Sequence, residues 1–237
     1  MAQNYDPKLV QDLKEKLALS CRVLYHLGLA DYMGHPSARI PGADLAVIKP
    51  RFSVDIRGMS EMTAKHMIIV DLDGKLVDGD YPPPTETAVH TEVYRARPDV
   101  LSVVHTHQTM STAFGMVDRP LLPLMHVESE LVARDIPVYP HGWLISSRER
   151  GEDMARALGD HRILHLQNHG VVITGPSVEY ATIDTISLER LANMNYVTAV
   201  LGNPRPMTRD DMDQVMQEKQ PITSRWAYYT SLVDQHV

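Results

Sequence analysis

Residues 66–79, HMIIVDLDGKLVDG, constrain the fold more tightly than any other stretch of the chain. Two apolar-rich runs flank Asp73-Gly74, a dipeptide that tolerates the positive φ of a tight two-strand turn. A lone hairpin is marginal in water, so other elements must complete it. Strand-like runs recur at 44–49 (DLAVIK), at 100–105 (VLSVVH) and on both sides of a tight turn within 162–175 (RILHLQNHGVVITG). Helical spacing fills the gaps. Residues 7–30 carry Val10, Leu13, Leu17, Cys21, Leu24 and Leu27 on one stripe. Thr85 is placed to cap a helix that Pro98 stops, and residues 108–114 and 148–158 read as helical. Ser177 caps a long helix marked by Val178, Ala181, Ile186, Leu191, Met194, Val197 and Leu201, and Thr208 caps a shorter one. Strands interleaved with helices predict an α/β fold of α+β-like, three-layer character. Its central sheet is mixed but mainly antiparallel, flanked by helices. With no repeat and no linker, residues 1–237 read as a single domain with a helical tail from about residue 203.

Composition narrows the function. The net charge is −7 and no basic block is present, which argues against a nucleic-acid partner. No window carries the run of about 18 apolar residues that a membrane span needs. The N-terminus, MAQNYDPKLV, lacks the apolar core of a signal peptide. One cysteine, Cys21, sits in an apolar-periodic stretch and reads as a core thiol in a reducing compartment. A cytoplasmic setting is expected.

Histidine is the outlier, with 12 in the chain. In VVHTHQT, residues 103–109, His105 and His107 sit two apart at the end of an apolar strand, so both project to one face. His169 follows another apolar strand and precedes Gly170. Three imidazoles are the minimum protein ligand set of an open catalytic metal site. Zinc is the default ion, and manganese, iron and cobalt are accepted by the same donors. Spacing alone leaves the bland reading open, because an H-x-H pair in a strand is more often a surface or core feature.

The order of motifs adds what spacing lacks. GHPSAR, VDLDGKLVDGDYPPPTE, HTEVYRARPDVLSVVHTH, YPHGWLISS and LQNHGVVITG follow one another in this chain. In this the sequence resembles the class II aldolase/adducin superfamily, over about residues 8–202. The resemblance implies that His105, His107 and His169 bind one divalent metal per chain, and that Glu86 is a catalytic acid/base beside it. It also implies a homo-oligomer, a cyclic tetramer with sites near subunit interfaces, and a C-terminal tyrosine as proton donor. Tyr229 is preferred to Tyr228 for that role. Read from the residues alone, Glu86 is a helix-start acid whose anionic form the helix dipole favours.

The chain departs from the sugar-phosphate aldolases of that superfamily where they hold phosphate. Their G-N-x-S stretch becomes GHPS here, with His35, Pro36 and Ser37; their T-P-[ST]-G stretch becomes KPRF; their serine pair becomes Pro84-Thr85. Glycine and serine let backbone N–H groups wrap an anion, whereas Pro84 removes a donor outright. Cationic side chains appear instead: His35, Arg39, Lys49 and Arg51. Lys49 and Arg51 also read as solvated loop charges. The expected pocket takes a carboxylate, with His35, Ser37, Arg39, Lys49, Arg51, Thr85 and His126 as binding residues. The expected activity is a metal-dependent lyase that decarboxylates a small, hydroxylated aromatic acid. A sugar-phosphate aldolase or epimerase and a non-catalytic, adducin-like interaction module are the alternatives. His90, His141 and His165 are assigned no function.

Overall fold

The computed structural model describes residues 5–53, 56, 58–218 and 221–233. Residues 1–4, part of the stretch read above for a leader, lie outside the described residues. Eight strands form one sheet: β1 His35–Arg39, β2 Leu45–Ile48, β3 Ile68–Asp71, β4 Leu76–Asp78, β5 Ser102–Thr106, β6 Val138–Tyr139, β7 Ile163–Leu166 and β8 Gly170–Gly175. Their order across the sheet is β4-β3-β2-β1-β5-β8-β7-β6. Every neighbouring pair is antiparallel except β6 with β7. The mainly antiparallel mixed sheet expected from the sequence is present.

The hairpin between β3 and β4 closes as its sequence requires. Asp71 Oδ1 accepts the N–H groups of Asp73 and Lys75 at 2.9 Å each, and Gly74 takes φ 79°. That conformation is open to glycine at no steric cost.

Seven α-helices lie among the described residues: α1 Pro7–His26, α2 Ala88–Ala96, α3 Thr109–Phe114, α4 Arg148–Leu158, α5 Val178–Leu201, α6 Arg209–Gln217 and α7 Ile222–Ser231. Side-chain caps hold the starts of four of them. Asp6 caps α1, Ser147 caps α4, Ser177 caps α5 and Thr208 caps α6. One sheet face carries α1, α5 and α7 over a core that includes Leu17, Leu24, Val104 and Ile183. The other carries α2 and α4 over Val93, Met154, Leu164 and Val172. Cys21 is fully buried among the first group, and burial pushes its thiol up to about 12. No helix is long and apolar enough to cross a membrane among the described residues.

One start differs from expectation. Thr85 does not cap α2. The hydroxyl of Thr87 donates to the Pro84 carbonyl at 2.6 Å, closing a turn over residues 84–87 from which the helix departs at Ala88. Glu86 therefore sits in the turn ahead of the helix rather than in its first helical turn.

Candidate metal centre and active site

Strand β5 lies between β1 and β8, and its end carries the first histidine pair. His105 is opposite His35 on β1 and opposite Val172 on β8. His107 continues past the strand end, and its ring centroid lies 4.7 Å from that of His105. The third histidine arrives from the β7–β8 turn. Leu166 pairs with Gly170, leaving Gln167, Asn168 and His169 as the connection, with Asn168 at φ 58°. Asparagine tolerates that left-handed conformation better than most side chains. The turn brings the His169 ring to 5.0 Å from His105 and 5.2 Å from His107. Gly170 is required there. A Cβ on it would lie 2.4 Å from the Thr106 carbonyl oxygen and 2.8 Å from His107 Cδ2.

Glu86 completes the group. Its carboxyl Oε1 accepts the Ile145 N–H at 2.8 Å. Its Oε2 lies 3.4 Å from His169 Nε2 and 3.7 Å from His105 Nε2. One ligand atom from each of Glu86, His105, His107 and His169 falls within 4.8 Å of the others. Burial pushes the Glu86 carboxyl up, but the adjoining His105 and His169 outweigh it and hold the group below the usual carboxylate range. Burial, then the two neighbouring imidazoles, lowers His107 to about 4.

The donor set fits a divalent ion. His105 Nδ1 donates to the Val171 carbonyl at 2.9 Å, which leaves Nε2 as the nitrogen available to a metal. His105 Nε2 is buried with no hydrogen-bond partner. A buried ring nitrogen left without a partner beside a carboxylate fits a site that a cation completes.

The cluster opens on a cavity of about 530 Å³. Tyr32, Phe52, Pro84 and Leu144 supply apolar wall, and Tyr32 meets Phe52 edge-on at 5.5 Å. His35, Lys49, Arg51 and Thr85 line it too. Lys49 is only 3% exposed, and its ammonium donates to the Tyr32 carbonyl at 3.0 Å. Burial lowers its pKa, against the opposing pull of Cys21 and Asp31. Arg51 and Thr85 are exposed at the rim.

Four expected site residues lie elsewhere. Ser37 and Arg39 share a face of β1 with His35, but α2 covers that face beyond the strand's first residue. Ser37 is fully buried against His90 and Tyr94. Arg39 lies over the Tyr94 ring and donates to the backbone carbonyls of Tyr94, Val100 and Arg97. His126 is exposed and faces α6 across a small surface cleft. Tyr229 sits on α7 and packs against the α1/α5 core beside Trp226, and neither it nor Tyr228 lines the cavity. Conversely, His90 was assigned no function, yet it hydrogen-bonds both His35 and Ser37. A signal was available: His90 and Tyr94 are four apart on a helix that begins just after Glu86.

Known proteins share this architecture. A 3,4-dihydroxyphthalate decarboxylase from Arthrobacter keyseri is 34% identical over 226 residues, which span 91% of this chain and 90% of that protein. An L-fuculose phosphate aldolase from Escherichia coli O6:H1 is 29% identical over 159 residues, spanning 67% of this chain and 73% of its own. The crystal structure of an aldolase II superfamily protein from Pseudomonas syringae superposes with a TM-score of 0.83 at 23% identity, covering 98% of this chain and 95% of that one. The family profile described as Class II Aldolase and Adducin N-terminal domain matches residues 15–196. The chain belongs to the class II aldolase and adducin N-terminal domain family.

Proposed function

We propose that this protein is a metal-dependent decarboxylase of a hydroxylated aromatic carboxylic acid, of the dihydroxyphthalate kind. One observation carries the reading: the four convergent ligand atoms open onto an apolar cavity whose inner wall holds a buried ammonium, Lys49. Apolar walls suit an aromatic ring, and a desolvated cation suits its carboxylate. The decarboxylase from Arthrobacter keyseri matches nine-tenths of the chain, and this supports the same reaction class.

His105, His107 and His169 would hold the divalent ion, zinc by default, with manganese, iron or cobalt also accepted. Once bound, the ion supplies a Lewis acid that draws electron density from the hydroxyl oxygens of the acid. The remaining steps belong to the chain. Lys49 and His35 orient the acid against the inner wall. Glu86, held as a carboxylate, takes the proton of a substrate hydroxyl. The bond to the leaving carboxylate breaks, CO2 departs, and its electron pair remains on the ring carbon. Glu86 then returns its proton to that carbon. Glu86 is 6% exposed, so water competes poorly for these transfers.

Tyr196, Val200 and Leu201 are exposed near the end of α5, which supports a homo-oligomer, taken here as a tetramer. Light scattering tests it. We also take the chain to be a single domain, and a cytoplasmic setting accords with its lone cysteine.

The deciding assay is CO2 release from a panel of dihydroxybenzoates and dihydroxyphthalates, run beside aldol cleavage of ketose 1-phosphates. Decarboxylation of at least one acid is expected. Cleavage of a sugar phosphate with no CO2 from any acid overturns the proposal in favour of an aldolase.

A further inference from the structure

Helix α2 lays two polar side chains under strand β1 and joins them to the cavity. The Tyr94 hydroxyl lies 2.6 Å from Ser37 Oγ, Ser37 Oγ lies 2.6 Å from His90 Nδ1, and His90 Nε2 lies 2.6 Å from His35 Nδ1. All four residues are at least nine-tenths buried, with exposures of 1% for Tyr94, 0% for Ser37, 1% for His90 and 8% for His35. Both imidazoles are buried and neither hydrogen-bonds a carboxylate, which favours their neutral forms.

A chain of neutral groups joined this way has two self-consistent directions, because each inner group gives one proton and takes one. The Tyr94 end chooses between them. Among the described residues Ser37 Oγ is the hydroxyl's one hydrogen-bond partner. A buried O–H left without an acceptor costs more than a lone pair left without a donor, so the Tyr94 proton goes to Ser37. Ser37 then donates to His90 Nδ1, and the His90 Nε2–H donates to His35 Nδ1. The proton of His35 is left on Nε2. That nitrogen has no protein partner among the described residues, and the ring lines the cavity.

We propose that this relay fixes His35 as an N–H donor facing the cavity, where it takes an anionic oxygen of the substrate. His90, Ser37 and Tyr94 are positioning residues. His35 is the substrate contact. The reverse direction would turn a lone pair toward the same oxygen and repel it. The ring of His35 lies 5.2 Å from that of His105, so the donor stands beside the metal centre without belonging to its ligand group. The tautomer is independent of the function proposed above, and the identity of the oxygen rests on it.

The test uses the zinc-loaded full chain labelled with ¹⁵N-histidine, and protocatechuate as the probe. Two-bond ¹H–¹⁵N correlation spectra should show His35 protonated at Nε2 and bare at Nδ1. Tyr94→Phe removes the proton that sets the direction. His35 should then average between tautomers, and the Kd for protocatechuate should rise roughly fivefold. KM should follow it, with kcat and zinc content unchanged. His90→Gln keeps an acceptor toward Ser37 and a donor toward His35, and should restore the tautomer that His90→Leu loses. A wild-type His35 bare at Nε2, or a Tyr94→Phe chain with unaltered tautomer and Kd, overturns the relay. The expected tautomer with no protocatechuate binding overturns the ligand and leaves the relay standing.

Discussion

His105 Nδ1 lies 2.9 Å from the carbonyl oxygen of Val171, across the ladder that pairs β5 with β8. This contact uses one ring nitrogen as a donor and points the other at Glu86 and His169. The backbone of one strand thus sets the ligand state of a side chain on the next. Alanine at His169 should reduce divalent metal in the purified chain from one equivalent to below about a tenth, with the far-UV spectrum unchanged. Full occupancy in His169→Ala would remove that residue from the ligand set.

Glu86 is bound by the Ile145 N–H on one oxygen and faces the histidines with the other. Glu86→Gln keeps the shape and loses the transferable proton. Its kcat should fall by roughly 10²–10⁴ while metal content holds. Turnover close to that of the parent enzyme would show that the proton moves by another route.

The two loop cations should contribute unequally. Lys49 is 3% exposed, whereas Arg51 is at the rim. A charged hydrogen bond from a desolvated donor is worth about 1.5–3 kcal/mol, and an exposed ion pair about 0–1 kcal/mol. Lys49→Met should therefore raise KM for the acid by about tenfold or more, and Arg51→Ala by less than about fivefold. Equal effects, or the reverse order, would place the carboxylate at the rim.

His165 gives stability a pH dependence of its own, away from the metal centre. It is 4% exposed, with Nε2 unpartnered, and burial lowers its pKa from 6.5 to about 4. The unfolded chain takes up this proton first as pH falls. The contribution is complete above pH 6.5 and is lost on descent to about pH 4. Its slope is at most about 1.4 kcal/mol per pH unit. Urea unfolding of His165→Met should show an acid limb shallower by up to that amount. An identical limb would mean that His165 takes up its proton alike in the native and unfolded chains.

The sequence by itself determined the local elements. Asp73-Gly74 between apolar runs forms the hairpin it signals, Ser177 and Thr208 each precede a helix they cap, and residues 148–158 form α4 as their spacing predicts. Three strand-end histidines and Glu86 were legible because a motif order accompanies them. Other features were not. GHPSAR, broken by Gly34 and Pro36, was not marked as a strand by the sequence; the structure makes it β1, with His35, Ser37 and Arg39 on one face, and the sequence says nothing about what covers that face. Helix α2 covers it, leaving only His35 at the open end. His126 and Tyr229 stood in the sequence as plausible pocket residues, and the paths of the chain beyond β5 and α5 carried them elsewhere. His90 lay unremarked for the same reason. A residue's backbone periodicity is set by its neighbours in sequence, whereas its hydrogen-bond partners are set by the pairing of β1 with β5 and the seating of α2 beneath them, contacts between segments roughly 50 to 70 residues apart.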